Sequence, residues 1–321
     1  MSNAFVAPHF QSPEAARQWL EKLRWPEGPV CSHCGVVGHS YALKKLGWYR
    51  CAEKECRKDF TVTTGTVMER SHIPLNKWLM AFYMLNASKK GVSAHQLHRA
   101  LALDYKSAWF MCHRIREAMR AGGLGPLGGG GKIVEADETY YGRPEESRPS
   151  PQRRGRPYLK GGKWAARRPI VALVERGGNV RTFHVPVADK DTVSKIVGEN
   201  IARESRLHTD ESALYPDVAK LFQAHKTVKH SAGEYVRIEY PITGEPTESV
   251  HTNSAEGYFS IFKRGMRGIY QHCKEKHLHR YLAEFDHRYN HRVALGYSDI
   301  DRTLAAIRGI EGKRLMYRQP H

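Results

Sequence analysis

Residues 121–131 read Ala-Gly-Gly-Leu-Gly-Pro-Leu-Gly-Gly-Gly-Gly, with seven glycines in eleven positions. Glycine loses more backbone freedom on ordering than any other residue, so no regular element is expected at that density. The segment reads as a flexible linker. Whatever this chain folds into is built as separate halves on its two sides, and 321 residues leave each half enough length to bury a core.

In the first half the cysteines constrain most. Six are present in the chain, and four fall as Cys31-x2-Cys34, sixteen residues, then Cys51-x4-Cys56. Two close thiol pairs one hairpin apart can converge tetrahedrally on Zn2+; four protein ligands leave no open position, which makes such a metal structural. Tyr41, Lys44, Lys45, Trp48, Tyr49 and Arg50, between the pairs, suit a β-ribbon. A ribbon this small lacks a core, so metal binding supplies its folding energy. The second pair is wider than the usual two-residue gap. Unligated buried cysteines are the plain alternative, and clustered thiols in a chain with no secretory signal favour metal over disulfides. A zinc ribbon is therefore expected over residues 28–70.

Ser12-Pro13 marks a helix start, and Ala16, Trp19, Leu20 and Leu23 form one apolar stripe, so residues 1–27 are expected to carry a helix. Residues 71–120 predict more helix. Trp78, Leu79, Phe82 and Leu85 share a face, Ser93 with Gln96 suits a capping box, and a break at Leu103-Asp104-Tyr105 precedes a last helix over 106–120. Helix, short turn and helix make a helix-turn-helix candidate. Lys plus Arg is 51 against 33 Asp plus Glu, a net charge of +18 that attracts polyanions, so nucleic acid, DNA or RNA, is the leading partner, and a helix-turn-helix would direct it to double-stranded DNA. Arg114, Arg116 and Arg120 on the last helix are candidate contacts to phosphates or bases. No apolar run approaches the ~20 residues of a membrane span, so no membrane partner is expected and a cytoplasmic, nucleoid-associated location is.

Beyond the linker, residues 132–321 read strand, hairpin, helix, strand, helix, strand, helix: an α/β class with helices packed on a mixed sheet. Residues 143–168 are rich in Arg, Lys, Gly and Pro and read as an exposed basic loop, with Arg153 and Arg154 as candidate DNA contacts. Three carboxylates stand out. Asp137 lies in the apolar strand Ile-Val-Glu-Ala-Asp-Glu-Thr, Asp210 ends the strand Leu-His-Thr-Asp, and Glu256 follows His-Thr-Asn-Ser-Ala. An acid in an apolar strand is costly unless it is paired or holds a metal. Acids from separate elements brought together can bind one or two Mg2+ or Mn2+ ions for in-line phosphodiester chemistry. Edge acids beside basic partners are the alternative, and spacing does not exclude Glu135, Glu138 or Glu211. Asn253 and Glu256 are three apart, which is also the pattern of a capping box. Lys263 follows Glu256 by a heptad and aligns with it on a helix. Lys263 and Arg264 are candidate DNA contacts. Glu256 competes with Asn253 for the third position, as an anion against a neutral carbonyl.

The segments CSHCG, SAHQLHRALALDYKSAWFMCHRIREAM, EADETYYG, HTDESALY, VKHSAGEY and HTNSAEGYFSIFKRGMRGIYQH occur in this order. The chain resembles bacterial insertion-sequence transposases of the DDE class, in the group with an N-terminal zinc ribbon and a catalytic pattern of Asp, Asp, Asn or Glu, then Lys. The resemblance runs from about residue 28 to the C-terminus. It implies a ribonuclease-H-like catalytic domain. It carries the first two carboxylates onto Asp137 and Asp210, the third onto Asn253 or Glu256, and the basic position onto Lys263. It also implies metal-dependent cleavage at the element's terminal inverted repeats, strand transfer into target DNA, and a homodimer or larger assembly that pairs two ends. A non-catalytic zinc-dependent DNA-binding regulator, or an inactive copy, is the alternative. The regulator accounts for the charge, the ribbon and the helix pair but leaves the separated carboxylates unexplained.

Overall fold

The computed structural model describes residues 3–122, 125–142, 148–149, 157–158, 168–240 and 248–316. The chain divides into two compact units, one made of Met1–Arg120 with Tyr297–His321, the other of Ala121–Gly296.

In the first unit, helix α1 (Pro13–Arg24) begins at the predicted signal. The Ser12 hydroxyl accepts the Ala15 N–H at 3.1 Å, and Pro13 takes the first turn. Three short antiparallel strands follow: β1 (Ser40–Ala42), β2 (Tyr49–Cys51) and β3 (Asp59–Phe60), with β2 central. The rings of Trp25, Tyr49 and Phe60 meet with centroids 5.6–5.8 Å apart and join the ribbon to the end of α1. Helices α2 (Leu75–Ala87), α3 (Ala94–Leu101) and α4 (Tyr105–Met119) complete the segment. Ser93 and Asp104 cap α3 and α4 by accepting the N–H groups of Gln96 (3.1 Å) and Ser107 (3.3 Å). Between the two helices Ala102 takes a left-handed conformation, φ 47°.

The N-terminal helix, ribbon and helical segment read as three successive domains from sequence, but here they share one apolar core running from Phe10 through Cys31, Cys51 and Phe60 to Met119. A ribbon too small for its own core borrows that of the helices. The sequence pattern also extends the second region to residue 321. Instead, the helix Asp299–Arg308 belongs to the first unit. Arg302 donates to the Asn86 carbonyl (2.8 Å), Val67 N–H to the Ile310 carbonyl (3.2 Å), and Ala306 and Ile307 enter the same core.

The second unit is built on a five-stranded sheet. Its strands are β4 (Ile133–Tyr141), β5 (Arg168–Glu175), β6 (Val180–His184), β7 (Arg206–Thr209) and β8 (Ala224–Thr227), in the order β8-β7-β4-β5-β6. The first three run antiparallel to one another, and β7 and β8 add in parallel on the far side of β4. Helices α5 (Lys190–Asn200) and α6 (Pro216–Ala219) bury Val193, Val197 and Val218 with Val134, Val171 and Leu207 on one face. A small hairpin, β9 (Arg237–Glu239) with β10 (Glu248–Val250), leads into α7 (Asn253–Gly265), and α8 (Leu278–Asn290) follows. Those two helices bury Phe259, Phe262, Leu282 and Phe285 against Ile170, Ala172 and Val174 on the other face. Asp286, within the core, fastens α8 to β6 by accepting from Thr182 N–H (3.0 Å) and the Tyr258 hydroxyl (2.6 Å).

The glycine-rich segment is not flexible throughout. Leu127 is buried in the second unit, where its N–H donates to the Asn200 carbonyl and its carbonyl accepts from Ala202, both at 2.8 Å. Gly128 follows with φ +85°, and a Cβ there would lie 2.1 Å from Ser205 Oγ, so the close approach requires glycine. Among the described residues no helix is long and apolar enough to cross a membrane.

Candidate zinc centre and carboxylate site

The ribbon gathers its thiols. Cys31 Sγ lies 3.8 Å from Cys56 Sγ and Cys34 Sγ 3.6 Å from Cys51 Sγ, and all four sulfurs fall within 4.8 Å of one another. Tetrahedral Zn–S bonds of ~2.3 Å put neighbouring sulfurs about 3.8 Å apart, so the donor set fits zinc without rearrangement. The wide Cys51-x4-Cys56 spacing is absorbed in a turn, where the Glu53 carbonyl accepts from both Cys56 and Arg57 at 3.1 Å. The Cys51 thiol is pushed up to about 12, first by burial and then by the thiols around it. A cation at the centre of four sulfurs reverses that bias by favouring thiolate.

In the second unit the pleat of β4 sorts its acids onto two faces. Glu135 pairs across the ladder with Val174 and Asp137 with Ala172, so both point to the α7 side. Glu138 pairs with Val171 and points to the α5 side, where the Ser212 hydroxyl (3.1 Å) and the Tyr215 hydroxyl donate to it. The parallel register Val134↔Leu207, Glu135↔His208, continued by two residues, brings Asp210 level with Asp137. Burial, then the negative charges of Glu138, Asp210 and Glu256, push the Asp137 carboxyl up to about 8. The charges of Asp210 and Glu256 thus both reach Asp137. The three carboxylates are more widely spread than the thiols: among the described residues the four cysteines are the only such cluster drawn within 4.8 Å.

The other acids separate by their partners. Glu135 is completely buried, and its oxygens accept from Ser254 N–H (2.8 Å), Ala255 N–H (3.1 Å), Ser254 Oγ (3.0 Å) and Arg176 Nε (3.0 Å). It caps α7 from the neighbouring strand, a role sequence spacing cannot reveal. Glu211 binds the Ser231 N–H and hydroxyl at 2.9 and 2.7 Å. No capping box joins Asn253 to Glu256, because Thr252 is the N-cap and Asn253 is the first helical residue. Asn253 is exposed. Glu256 lies 3.4 Å from the Thr252 hydroxyl and 3.6 Å from His230 Nε2. Lys263 is further along α7 and sits 6.0 Å from the Phe259 ring centroid.

Residues 126–290 match the family model of the ISXO2-like transposase domain, and residues 11–59 match that of the transposase zinc-ribbon domain. The first match alone covers just over half of the chain. The chain belongs to the ISXO2-like transposases of the DDE class. It is also similar to an uncharacterized protein in transposable element ISH50 of Halobacterium salinarum, at 28% identity over 276 residues, covering 81% of this chain and 86% of the relative.

The basic residues expected to meet DNA fare unevenly in this transposase. Arg114 and Arg116 are buried, 7% and 2% exposed, which removes them from any DNA surface of the folded unit. Arg114 donates to the Glu69 carbonyl at 2.6 Å and lies over the Trp78 and Phe110 rings. The physical reason is that α4 is covered on nearly every side: every residue from Met111 to Arg116 is buried. Arg120 is exposed and pairs with Glu117 at 3.0 Å, and Arg264 is exposed on α7. Arg153 and Arg154 lie outside the described residues. Tyr105 and Lys106, exposed on the first turn of α4, are the residues there that reach solvent, and Tyr105 stacks on His95 at 4.2 Å.

Proposed function

We propose that this transposase binds the terminal inverted repeats of its insertion sequence, cleaves there, and joins the freed strand to target DNA. The observation that carries the reading is the carboxyl of Asp137, held at about 8 by burial and by the charges of Glu138, Asp210 and Glu256. Crowded anionic oxygens of this kind suit a hard divalent cation. The wider spread of the carboxylates agrees with two ions ~3.5–4 Å apart, which need ligands beyond a single coordination sphere. The strand order, three antiparallel strands then two parallel ones added beyond the first, supports a ribonuclease-H-like fold.

Asp137, Asp210 and Glu256 would hold Mg2+ or Mn2+. When bound there, the cation lowers the pKa of a water and stabilises charge on the reacting phosphate oxygens. Glu256 serves in preference to Asn253 because it is an anion whose field reaches Asp137. The Thr252 hydroxyl orients it. Lys263 holds a phosphate beside the carboxylates. Water cleaves the phosphodiester at the element's end and frees a 3′-hydroxyl. That hydroxyl forms a new P–O bond to the target strand and releases the target's own 3′-oxygen. The protein's share is positioning and charge stabilisation. The ribbon and the α3–α4 pair act as the end-binding region, with α4 entering the major groove by the turn that carries Tyr105 and Lys106. Pairing two ends needs at least two copies of the chain.

Cleavage of duplex DNA carrying the element's end, with Mg2+, tests the third ligand. Glu256→Gln is expected to lose cleavage while Asn253→Ala keeps it. The reverse result makes Asn253 the ligand, and cleavage by both variants removes α7 from the site.

A further inference from the structure

Arg176 sits in the tight turn after β5, and none of the roles above uses it. Its guanidinium is surrounded by three separate stretches of the second unit. Nε donates to Glu135 Oε1 on β4 at 3.0 Å, and Nη1 donates to the Ser249 carbonyl of β10 at 2.8 Å. Nη2 faces Nδ1 of His208 on β7 at 3.3 Å, and faces Nδ1 and the carbonyl of His251, on the link into α7, at 3.1 and 3.2 Å. The same His251 Nδ1 lies 3.3 Å from the Asn253 backbone nitrogen and 3.2 Å from Glu135 Oε1, so this imidazole joins the guanidinium and the carboxylate at one point. Behind this hub His208 Nε2 meets Glu248 at 3.0 Å, and Glu248 is held in turn by Arg206 at 3.2 Å and by Lys226.

Glu135 passes the connection on through its bonds to the first turn of α7. One guanidinium and one carboxylate therefore tie together the strand that carries Asp137, the strand that leads to Asp210, and the helix that carries Glu256. Stability alone is a poor reason for such a pair, because a buried ion pair is commonly no more stabilising than apolar groups of the same volume. Geometry is a better one. A rigid planar fork fixes directions that neither an apolar side chain nor a lysine can fix.

We propose that Arg176, acting through Glu135, is the positioning residue that sets the spacing of the three carboxylates and hence their affinity for a divalent cation. This rests on Asp137, Asp210 and Glu256 being the ligand set. Partners that orient metal ligands in this way typically change affinity by ~10- to 100-fold.

The test is Mn2+ binding to the full-length, zinc-loaded protein without DNA, read from the electron paramagnetic resonance of free Mn2+, with thermal unfolding measured alongside. Arg176→Met is expected to unfold cooperatively and to bind Mn2+ roughly 10-fold or more weakly than wild type. Asp137→Asn is expected to abolish the binding. A purely structural Arg176 lowers the unfolding temperature and leaves Mn2+ affinity at the wild-type value, which overturns the proposal. If Arg176→Met does not fold, Ser254→Ala decides, since it removes one hydroxyl bond to Glu135 and leaves the backbone bonds. A fall of roughly fivefold supports positioning, and unchanged affinity refutes it. If Asp137→Asn binds Mn2+ like wild type, the ligand set itself is wrong, a failure separable from that of Arg176.

Discussion

Asp137→Asn removes one negative charge from the crowded side of β4 and keeps the side chain's size. The wild-type carboxyl is held at about 8 in the folded protein against 3.8 for an ordinary aspartate. Its folded pKa is raised, so the native state binds the proton more tightly than the unfolded chain does. The sign follows: between pH 4 and pH 8 the unfolded chain has released the proton and the native state has not. Native stability therefore falls as pH rises through that window, and the full penalty applies above pH 8. At ~1.36 kcal/mol per pH unit the gap corresponds to at most ~6 kcal/mol. Asp137 is half-buried, and water and salt at the site reduce this to about 2–4 kcal/mol. The neutral variant escapes the penalty. Calorimetry of zinc-loaded protein free of Mg2+ and Mn2+ should show the second unit of Asp137→Asn melting roughly 5–10 °C above wild type at pH 8.5, with the difference shrinking steadily toward pH 5. A difference that does not change with pH, or a variant less stable than wild type at pH 8.5, refutes the crowding argument.

Three further outcomes are expected. Cys51→Ser should lose stoichiometric zinc by metal analysis and lower the unfolding temperature of the first unit, because Cys51 is both a thiol of the cluster and part of the shared core. Gly309→Ala should destabilise that unit by about 1–3 kcal/mol in thermal unfolding, since its Cβ would lie 2.3 Å from the Ala118 carbonyl oxygen where the C-terminal segment packs back. Arg114→Ala should cost about 1–3 kcal/mol of stability yet leave the salt dependence of DNA binding by the folded protein unchanged, whereas Lys106→Ala should reduce the salt slope by about one.

Features written in neighbouring residues were legible before the fold was. The thiol spacing predicted the ribbon, Ser12 and Ser93 mark two helix starts, and the apolar run around Asp137 became a nine-residue strand. What stayed hidden depends on contacts far apart in the chain. Glu135 and Asp137 share one strand and one face, and only the arrival of the α7 N-terminus at Glu135 separates a cap from a candidate ligand. Arg114 and Arg116 carry charges that an isolated helix would leave in solvent, but α4 lies inside a core that also takes in Ala306 and Ile307 from the far end of the chain. The β9–β10 hairpin went unpredicted because its strands are three residues long and carry little periodicity.

The central claim is tested most directly by a cleavage and joining assay on DNA bearing the element's own ends, with Mg2+, comparing wild type with Asp137→Asn. The account predicts that wild type cuts and joins, while the variant binds the same DNA and does neither. Equal cleavage by both proteins, or tight binding by both with no cleavage by either, contradicts it.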